Sequence, residues 1–144
     1  PEPAAIFSLF IELKHKFDVV IIDAPAGIGE GFSLSILGAD VAVLVTTPDY
    51  VALRDADHIN NLLRERGIKN RAYVVNKADK TFLGADSLPS VENIISMMHI
   101  DLLGIIQSDN NIHLSGSRGR PYVMSGASYV KRNFQKIADR IFRF

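Results

Sequence analysis

The 144-residue sequence contains no cysteine and no long uninterrupted run of apolar side chains. The lack of cysteine excludes disulfide bonds and thiolate metal sites, and it is compatible with a reducing cytoplasm. No apolar run reaches about 18 residues, the length that a membrane-spanning helix requires. No basic segment followed by an apolar one is present near the start, so we expect no secretory signal.

The composition is that of an ordinary globular protein, with 47% apolar and 22% charged residues. Because a typical domain holds roughly 100–150 residues, we expect one domain over residues 1–144. The charges are unevenly distributed. Residues 116–144 carry 7 Lys and Arg against one acidic residue, whereas residues 1–115 carry 9 Lys and Arg against 15 Asp and Glu. The basic segment is either a solvated helix face or a patch for an anionic surface.

Four short runs rich in Val and Ile occur along the chain, at residues 17–23, 40–47, 72–77 and 101–107. Their nearly continuous apolarity is typical of strands that are buried on both faces. Helical segments separate them, which favours right-handed crossovers and a parallel sheet. We therefore predict an α/β fold with a mostly parallel sheet of about four to five strands and helices on both faces.

The helical segments have recognisable ends and faces. Asp49 is predicted to cap a helix that Gly67 terminates, and Ser90 follows Pro89 at the start of another. Residues 4–15 are apolar almost all round, which predicts a helix packed against the sheet. The last helix pattern has an apolar stripe that favours core packing over membrane binding, formed by Val130, Phe134, Ile137 and Ile141.

Polar side chains follow the predicted strands, at the sheet edge where open parallel sheets bind ligands. Asp23 comes first, and the turn after it is rich in proline and glycine. A carboxylate there could hold a water molecule of a Mg²⁺ shell that is bridged to nucleotide phosphates. It could equally cap the helix that begins near Glu30. The residues alone leave both interpretations open.

An ordered set of motifs resembles the MinD/ParA family of deviant P-loop ATPases. Residues 23–28 (DAPAGI) resemble the family's switch II, and residues 46–57 resemble its Thr-Thr-Pro turn followed by a helix with Arg-Asp-x-Asp. Residues 74–77 (VVNK) resemble its base-binding strand end. Residues 103–106, Asp109 and residues 118–121 resemble its closing strand, loop and short helix. The resemblance covers essentially the whole chain and implies a P-loop NTPase-like fold.

The resemblance also implies ATP and Mg²⁺ as cofactors. Asp23 would be the catalytic position that organises Mg²⁺ through water, and the next residues would face the γ-phosphate. Asn76 would bond the base, because a side-chain amide offers both a donor and an acceptor. The cofactor-binding residues implied in this way are Pro25, Ala26, Gly27, Asn76 and Asp109.

Partners are implied in the same way. Arg54 and Asp55 would lie on the face that such ATPases use for homodimerisation and for regulatory proteins of division or positioning systems. The resemblance implies a cytoplasmic protein and leaves open a peripheral association with the inner face of the cell membrane. Nucleic-acid binding is not favoured, because the basic cluster is small and the remaining chain is acidic.

One family feature is missing, because no G-x-x-x-x-G-K-[ST] motif occurs in the sequence. Without that loop the β- and γ-phosphates have no cradle, so the chain alone is predicted not to hydrolyse ATP. The family's first strands are missing too, and the loss of the central one should leave a gap in the sheet. These departures favour a fragment of a longer protein over a degenerate paralogue.

Two rival interpretations remain open. Asn76-Lys77-Ala78-Asp79 matches the N-K-x-D motif of GTPases, in which Asp79 would bind guanine. Alternatively, the chain is a non-enzymatic module that binds a partner through the helix containing residues 54–57. Arg54 and Asp55 could also form a simple exposed pair on that helix.

Overall fold

The computed structural model of the protein describes residues 2–79, 88–124 and 129–143. Six α-helices, one short 3₁₀ helix and three β-strands occur in these residues. In chain order they are α1 (Pro3–Lys16), α2 (Glu30–Ser35), β1 (Val41–Thr46), α3 (Tyr50–Glu65), β2 (Asn70–Ala78), α4 (Val91–Met98), β3 (Asp101–Gln107), α5 (Asn110–Ser117), the 3₁₀ helix (Tyr122–Met124) and α6 (Tyr129–Ile141).

The three strands form one parallel sheet in the order β1-β2-β3. β1 lies opposite residues 70–75 of β2, and residues 72–78 of β2 lie opposite β3. The register of the second pair is irregular between Val75 and Ala78, at the carboxyl end of β2. The predicted strands at 40–47, 72–77 and 101–107 and the parallel α/β fold are therefore confirmed.

Alternate residues of β2 enter two different apolar cores. Tyr73 and Val75 belong to the core that α3 and α4 cover, whereas Ala72 and Val74 belong to the core that α6 covers. This alternation follows from the two-residue period of a strand. The sheet is thus covered by helices on both faces, as the continuous apolar runs predicted.

The capping residues act as the sequence predicted. The Asp49 side chain accepts a hydrogen bond from the Ala52 backbone N–H at 2.9 Å and begins α3. Gly67 has a φ of 84°, in the left-handed region that glycine adopts easily after a helix. Ser90 accepts from the Asn93 N–H at 3.2 Å and begins α4.

The predicted strand at residues 17–23 is wrong. The segment has no regular secondary structure, and three of its apolar side chains are exposed: Phe17 by 58%, Val19 by 49% and Ile21 by 89%. Val20 and Ile22 are only partly buried. A strand needs a neighbour for its backbone N–H and C=O groups, and none of the described strands pairs with this segment. The described sheet therefore has three strands rather than four to five.

The expected packing of the first helix against the sheet is also wrong, because no residue of α1 is buried. Phe7, Leu9 and Ile11 are each more than two-fifths exposed. α1 is held near the start of β1 by an ion pair between Lys14 Nζ and Asp40 Oδ1 at 2.7 Å. A helix that is apolar almost all round needs cover on several sides, and the described residues supply little of it.

The last helix packs into the core, as predicted. Val130 and Ile137 of α6 are buried, and Phe134 and Ile141 are partly buried against the same cluster. β3 approaches α6 closely at Gly104, where an added Cβ would lie 2.7 Å from Ile137 Cγ1. None of the helices in the described ranges has the length and apolarity needed to cross a membrane.

Candidate functional site at the carboxyl edge of the sheet

The end of β1 is shaped by a small polar network. Thr46 is buried, and the Thr47 hydroxyl donates to Asp49 Oδ2 at 2.6 Å. The Thr47 hydroxyl and, next, the Ala52 N–H hold the pKa of Asp49 below its ordinary value, because both stabilise the ionised carboxylate. Asp49 therefore orders this turn and the start of α3.

The end of β2 carries a local backbone distortion. The Lys77 N–H donates to Asn76 Oδ1 at 2.9 Å, and Lys77 has a φ of 56°, in the left-handed region. A non-glycine residue in such a conformation costs on the order of 1–3 kcal/mol and often marks a functional turn. The distortion coincides with the irregular register between Val75 and Ala78. Sequence reasoning missed it, because lysine is not a residue that typically signals this conformation.

The end of β3 is tied directly to the end of β2. Gln107 pairs with Ala78, and the Ser108 N–H donates to the Ala78 carbonyl at 2.8 Å. Asp109 follows and caps α5, since its Oδ1 accepts from the Asn111 N–H at 2.8 Å. The structure therefore brings the predicted base-binding residue Asn76 and the loop around Asp109 to adjacent strand ends.

The Asp109 carboxylate also accepts a hydrogen bond from the Tyr122 hydroxyl, at 3.1 Å from Oδ2. The Asn111 backbone N–H lowers the pKa of Asp109 most, and the Tyr122 hydroxyl lowers it further. Sequence reasoning missed Tyr122, because no motif or helical period connects it with a residue thirteen positions earlier. Only the fold reveals this pair.

The segment that resembles switch II does not join this edge through a strand. Asp23 was expected at the tip of a buried strand, but it lies in an exposed, irregular segment between α1 and α2. Pro25, Ala26 and Gly27 are exposed as well, and Gly27 has a φ of 87°. The Pro25 ring lies against Gly31 in the first turn of α2, where an added Cβ would come within 2.7 Å of Pro25 Cγ.

The carboxylates of the described residues do not form a complete metal site. No group of three His, Cys, Asp or Glu side chains gathers in residues 2–79, 88–124 and 129–143. Mg²⁺ in nucleotide sites usually takes one or two carboxylates and completes its shell with water and phosphates. The exposed Asp23 fits such a shell as one ligand, directly or through water, and the nucleotide would supply the phosphate oxygens.

The predicted partner residues line a shallow groove on α3. Arg54 and Asp55 are exposed, and the groove of about 530 Å³ also contains Tyr50, Val51 and His58. Val51 is 72% exposed and Tyr50 is 49% exposed. Because Tyr50 directly follows Asp49, the groove begins beside the carboxyl edge of β1.

A second cavity, of about 330 Å³, lies at the opposite end of β3. It is lined by Asp101, Leu102 and Leu103 of β3 and by Arg140 and Arg143 from the C-terminal segment. Since Asp101 begins the strand and Gln107 ends it, this cavity is separate from the candidate site.

Comparison with known families identifies the family of the chain. The family model described as "ParA: NUBPL iron-transfer P-loop NTPase" matches residues 4–142. The chain belongs to the ParA/MinD family of P-loop NTPases. The resemblance inferred from the ordered motifs is thereby confirmed.

Individual relatives give the same result. The septum site-determining protein MinD of Bacillus subtilis is 37% identical over 140 residues, which cover 96% of this chain and 52% of the relative. The MinD cell division protein of Aquifex aeolicus superposes with a TM-score of 0.92 at 26% identity, over 99% of this chain and 61% of that one. MinD from Pyrococcus horikoshii, in complex with Mg-ADP, has a TM-score of 0.84 at 25% identity, over 97% and 56%. The chain thus spans about half the length of the curated MinD relative.

Proposed function

We propose that this chain is the switch and base-binding part of a MinD-like ATPase that positions the cell-division site or a related structure. The observation that carries this proposal is that the carboxyl ends of β2 and β3 lie side by side and are hydrogen-bonded to each other. The Ser108 N–H to Ala78 carbonyl bond holds Asn76 beside the loop that contains Asp109. The Mg-ADP complex of the Pyrococcus horikoshii relative supports a nucleotide as the ligand of this edge.

Each residue of the edge has a proposed role in nucleotide binding. Asn76 contacts the purine base through its side-chain amide, whose NH2 group can donate hydrogen bonds. The amide oxygen already accepts from the Lys77 N–H, and its second lone pair can accept from the base. Asp23 would hold Mg²⁺ through water, and the ion would neutralise phosphate charge. Pro25, Ala26 and Gly27 respond to the γ-phosphate, and their exposed irregular backbone is suited to an ordering transition.

Hydrolysis requires groups that these 144 residues do not include. The sequence contains no G-x-x-x-x-G-K-[ST] loop, whose backbone N–H groups and lysine cradle the phosphates. We therefore propose that the chain alone binds nucleotide weakly and does not hydrolyse it. ATPase activity is proposed for a protein that combines these residues with such a loop.

The α3 groove is the proposed contact surface for partners. It presents a charged pair, Arg54 and Asp55, next to the exposed Tyr50 and Val51, a mixture typical of protein interfaces. A MinC:MinD complex is known from Aquifex aeolicus, and the MinD chain in it superposes on this one with a TM-score of 0.92. We propose a regulatory division protein and a second copy of the intact protein as partners. A cytoplasmic location with peripheral membrane association belongs to the same proposal.

The test compares ATP and GTP binding by the 144-residue chain, alone and joined to residues that supply a G-x-x-x-x-G-K-[ST] loop. Replacement Asn76→Ala should weaken ATP binding roughly tenfold, as expected for the loss of a hydrogen-bonded base contact. Asn61→Ala is the matched control, because Asn61 donates to the Asp57 carbonyl within α3, away from the strand ends. Equal ATP affinity of the Asn76 variant and the wild type would contradict the proposed base site.

The GTP-binding alternative rests on Asp79 and has its own outcome in this experiment. A preference for GTP that disappears in the Asp79→Ala variant would replace ATP by GTP in the proposal.

The binding-module alternative rests on the α3 groove. It would be favoured if the affinity for the partner is the same with and without nucleotide and is unchanged in the Asp23→Ala variant.

A further inference from the structure

Both carboxylate oxygens of Asp109 are occupied by groups of the protein itself. Oδ1 accepts from the backbone N–H of Asn111 at 2.8 Å and from its side-chain Nδ2 at 2.9 Å. Oδ2 accepts from the Tyr122 hydroxyl at 3.1 Å. These three donors use most of the acceptor capacity of the carboxylate, so the side chain serves mainly to hold the protein's own groups.

Tyr122 is well placed to act as an anchor for this loop. It is partly buried and packs against the core cluster that includes Val130 and Ile137 of α6. On the other side of the loop, the Ser108 N–H is bonded to the Ala78 carbonyl of β2. Residues 107–109 are therefore fixed from the sheet on one side and from the 3₁₀ helix on the other.

We propose that Tyr122 is a positioning residue for nucleotide binding, which acts by holding the Asp109 carboxylate and thereby the loop beside Asn76. In this role Asp109 orients the loop and the start of α5 and does not itself contact the base. The inference rests on the proposed nucleotide-binding function and adds a residue that the sequence motifs did not identify. The ionised form of Asp109, which these hydrogen bonds favour, is the form that accepts from all three donors.

Adenosine is the appropriate probe, because it tests the base site without the phosphate loop that the sequence lacks. It is titrated into the 144-residue chain, and backbone amide chemical shifts of Asn76, Lys77 and Ser108 report binding. We expect saturable shifts in the wild type and an affinity roughly three- to tenfold weaker in Tyr122→Phe, since one hydrogen bond that orders the loop is lost. The matched control is Tyr129→Phe on α6, where the side chain is 57% exposed; its affinity should stay within about twofold of the wild type.

A double-mutant cycle separates positioning from a general loss of structure. If Tyr122 acts through Asp109, Tyr122→Phe should cause no further loss of adenosine affinity in an Asp109→Ala background. Asp109→Ser, which retains one capping oxygen but has no second oxygen to accept from Tyr122, provides a second background if Asp109→Ala does not fold. An equal additional loss in these backgrounds would show that Tyr122 acts by another route and would overturn the proposal.

The remaining outcomes distinguish this inference from the proposed function. Adenosine binding by the wild type with unchanged affinity in Tyr122→Phe would refute the positioning role and leave the base site intact. An absence of saturable shifts in the wild type at millimolar adenosine would contradict both. Faster amide hydrogen exchange at Asn111 in Tyr122→Phe, with exchange in β2 unchanged, would accompany the expected result.

Discussion

Residues 2–40 and the described residues from 41 onward both contain runs of Val and Ile, yet they are buried very differently. In the first region Phe32 is the one buried residue, although Ile36 and Ala39 pack against the same core. In the second, Leu53, Ala72, Tyr73, Val75 and Met98 have no exposed surface at all. The difference lies in the neighbours. β2 pairs with a strand on each side, whereas residues 17–23 pair with none of the described strands.

This contrast also divides the candidate site. Asn76 and Asp109 sit at the ends of paired strands, where backbone hydrogen bonds fix their positions. Asp23 and the residues after it lie on an exposed segment outside the sheet. The residues proposed to bind the base are therefore fixed by paired strands, whereas those proposed to sense the phosphate lie outside the described sheet.

The largest expected effect is the difference in the free energy of unfolding when one large apolar side chain in each region is replaced by alanine. Leu53→Ala should lower the free energy of unfolding by roughly 2–5 kcal/mol, because Leu53 is completely buried between α3 and the sheet. Ile21→Ala should change it by less than about 0.5 kcal/mol, because the side chain is 89% exposed. Urea denaturation followed by circular dichroism measures both values. A loss of similar size in the two variants would show that residues 17–23 are buried in solution and would remove the contrast between the regions.

A smaller effect is expected at the turn that links β1 to α3. Asp49→Ala should destabilise the protein by about 1 kcal/mol at pH 7, because the helix cap of α3 is lost. The Thr47 hydroxyl and the Ala52 N–H lower the pKa of Asp49 in the folded state. A depressed folded-state pKa gives a stabilisation that is fully present above the unfolded-state value and is lost as the pH falls through the folded-state value.

The difference between wild type and Asp49→Ala should therefore shrink as the pH falls from about 5 towards 3. Urea denaturation at several pH values across this range measures the change. Asp49→Asn is the control, because asparagine also caps helices but does not titrate. A difference from wild type that stays constant down to pH 3 would contradict the assigned pKa direction.

The smallest effect is expected at the ion pair within residues 2–40, which ties α1 to Asp40, the residue before β1. Lys14→Ala removes the contact with Asp40, whose side chain is 75% exposed, so we expect a change of less than about 0.5 kcal/mol in the free energy of unfolding. Unfolding at low and at high salt provides a second measurement. Because the pair contributes so little, its screening by salt should leave the free energy of unfolding of the wild type nearly unchanged. A loss above 1 kcal/mol would indicate that α1 is an integral part of the core.

Sequence patterns predicted the paired strands well, because a strand buried on both faces needs apolar side chains at nearly every position. The run at residues 17–23 has the same pattern, and apolarity does not reveal whether a neighbouring strand is present. The capping roles of Asp49 and Ser90 were predictable since their partners lie within three residues. Local chemistry was therefore easier to predict than long-range pairing.

The candidate site was predicted in part for the same reason. The placement of Asn76 and Asp109 at neighbouring strand ends follows from a parallel sheet, and the structure contains that juxtaposition. The bond from Tyr122 to Asp109 depends on how the 3₁₀ helix returns to the sheet, which no periodicity encodes. The roles proposed for Asp23, Pro25, Ala26 and Gly27 remain predictions.

The contact between Pro25 and Gly31 links the exposed segment to the stability of the whole molecule. Gly31 precedes Phe32, so the ring of Pro25 rests one residue away from the side chain that enters the core. A rearrangement of residues 23–27 that moves the Pro25 ring closer to Gly31 is therefore opposed by the first turn of α2. A ligand that binds the native protein through this segment should raise the melting temperature, because it stabilises the folded state by RT ln(1 + [L]/Kd) at free ligand concentration [L]. The melting temperature then measures how strongly the segment is held by its ligand.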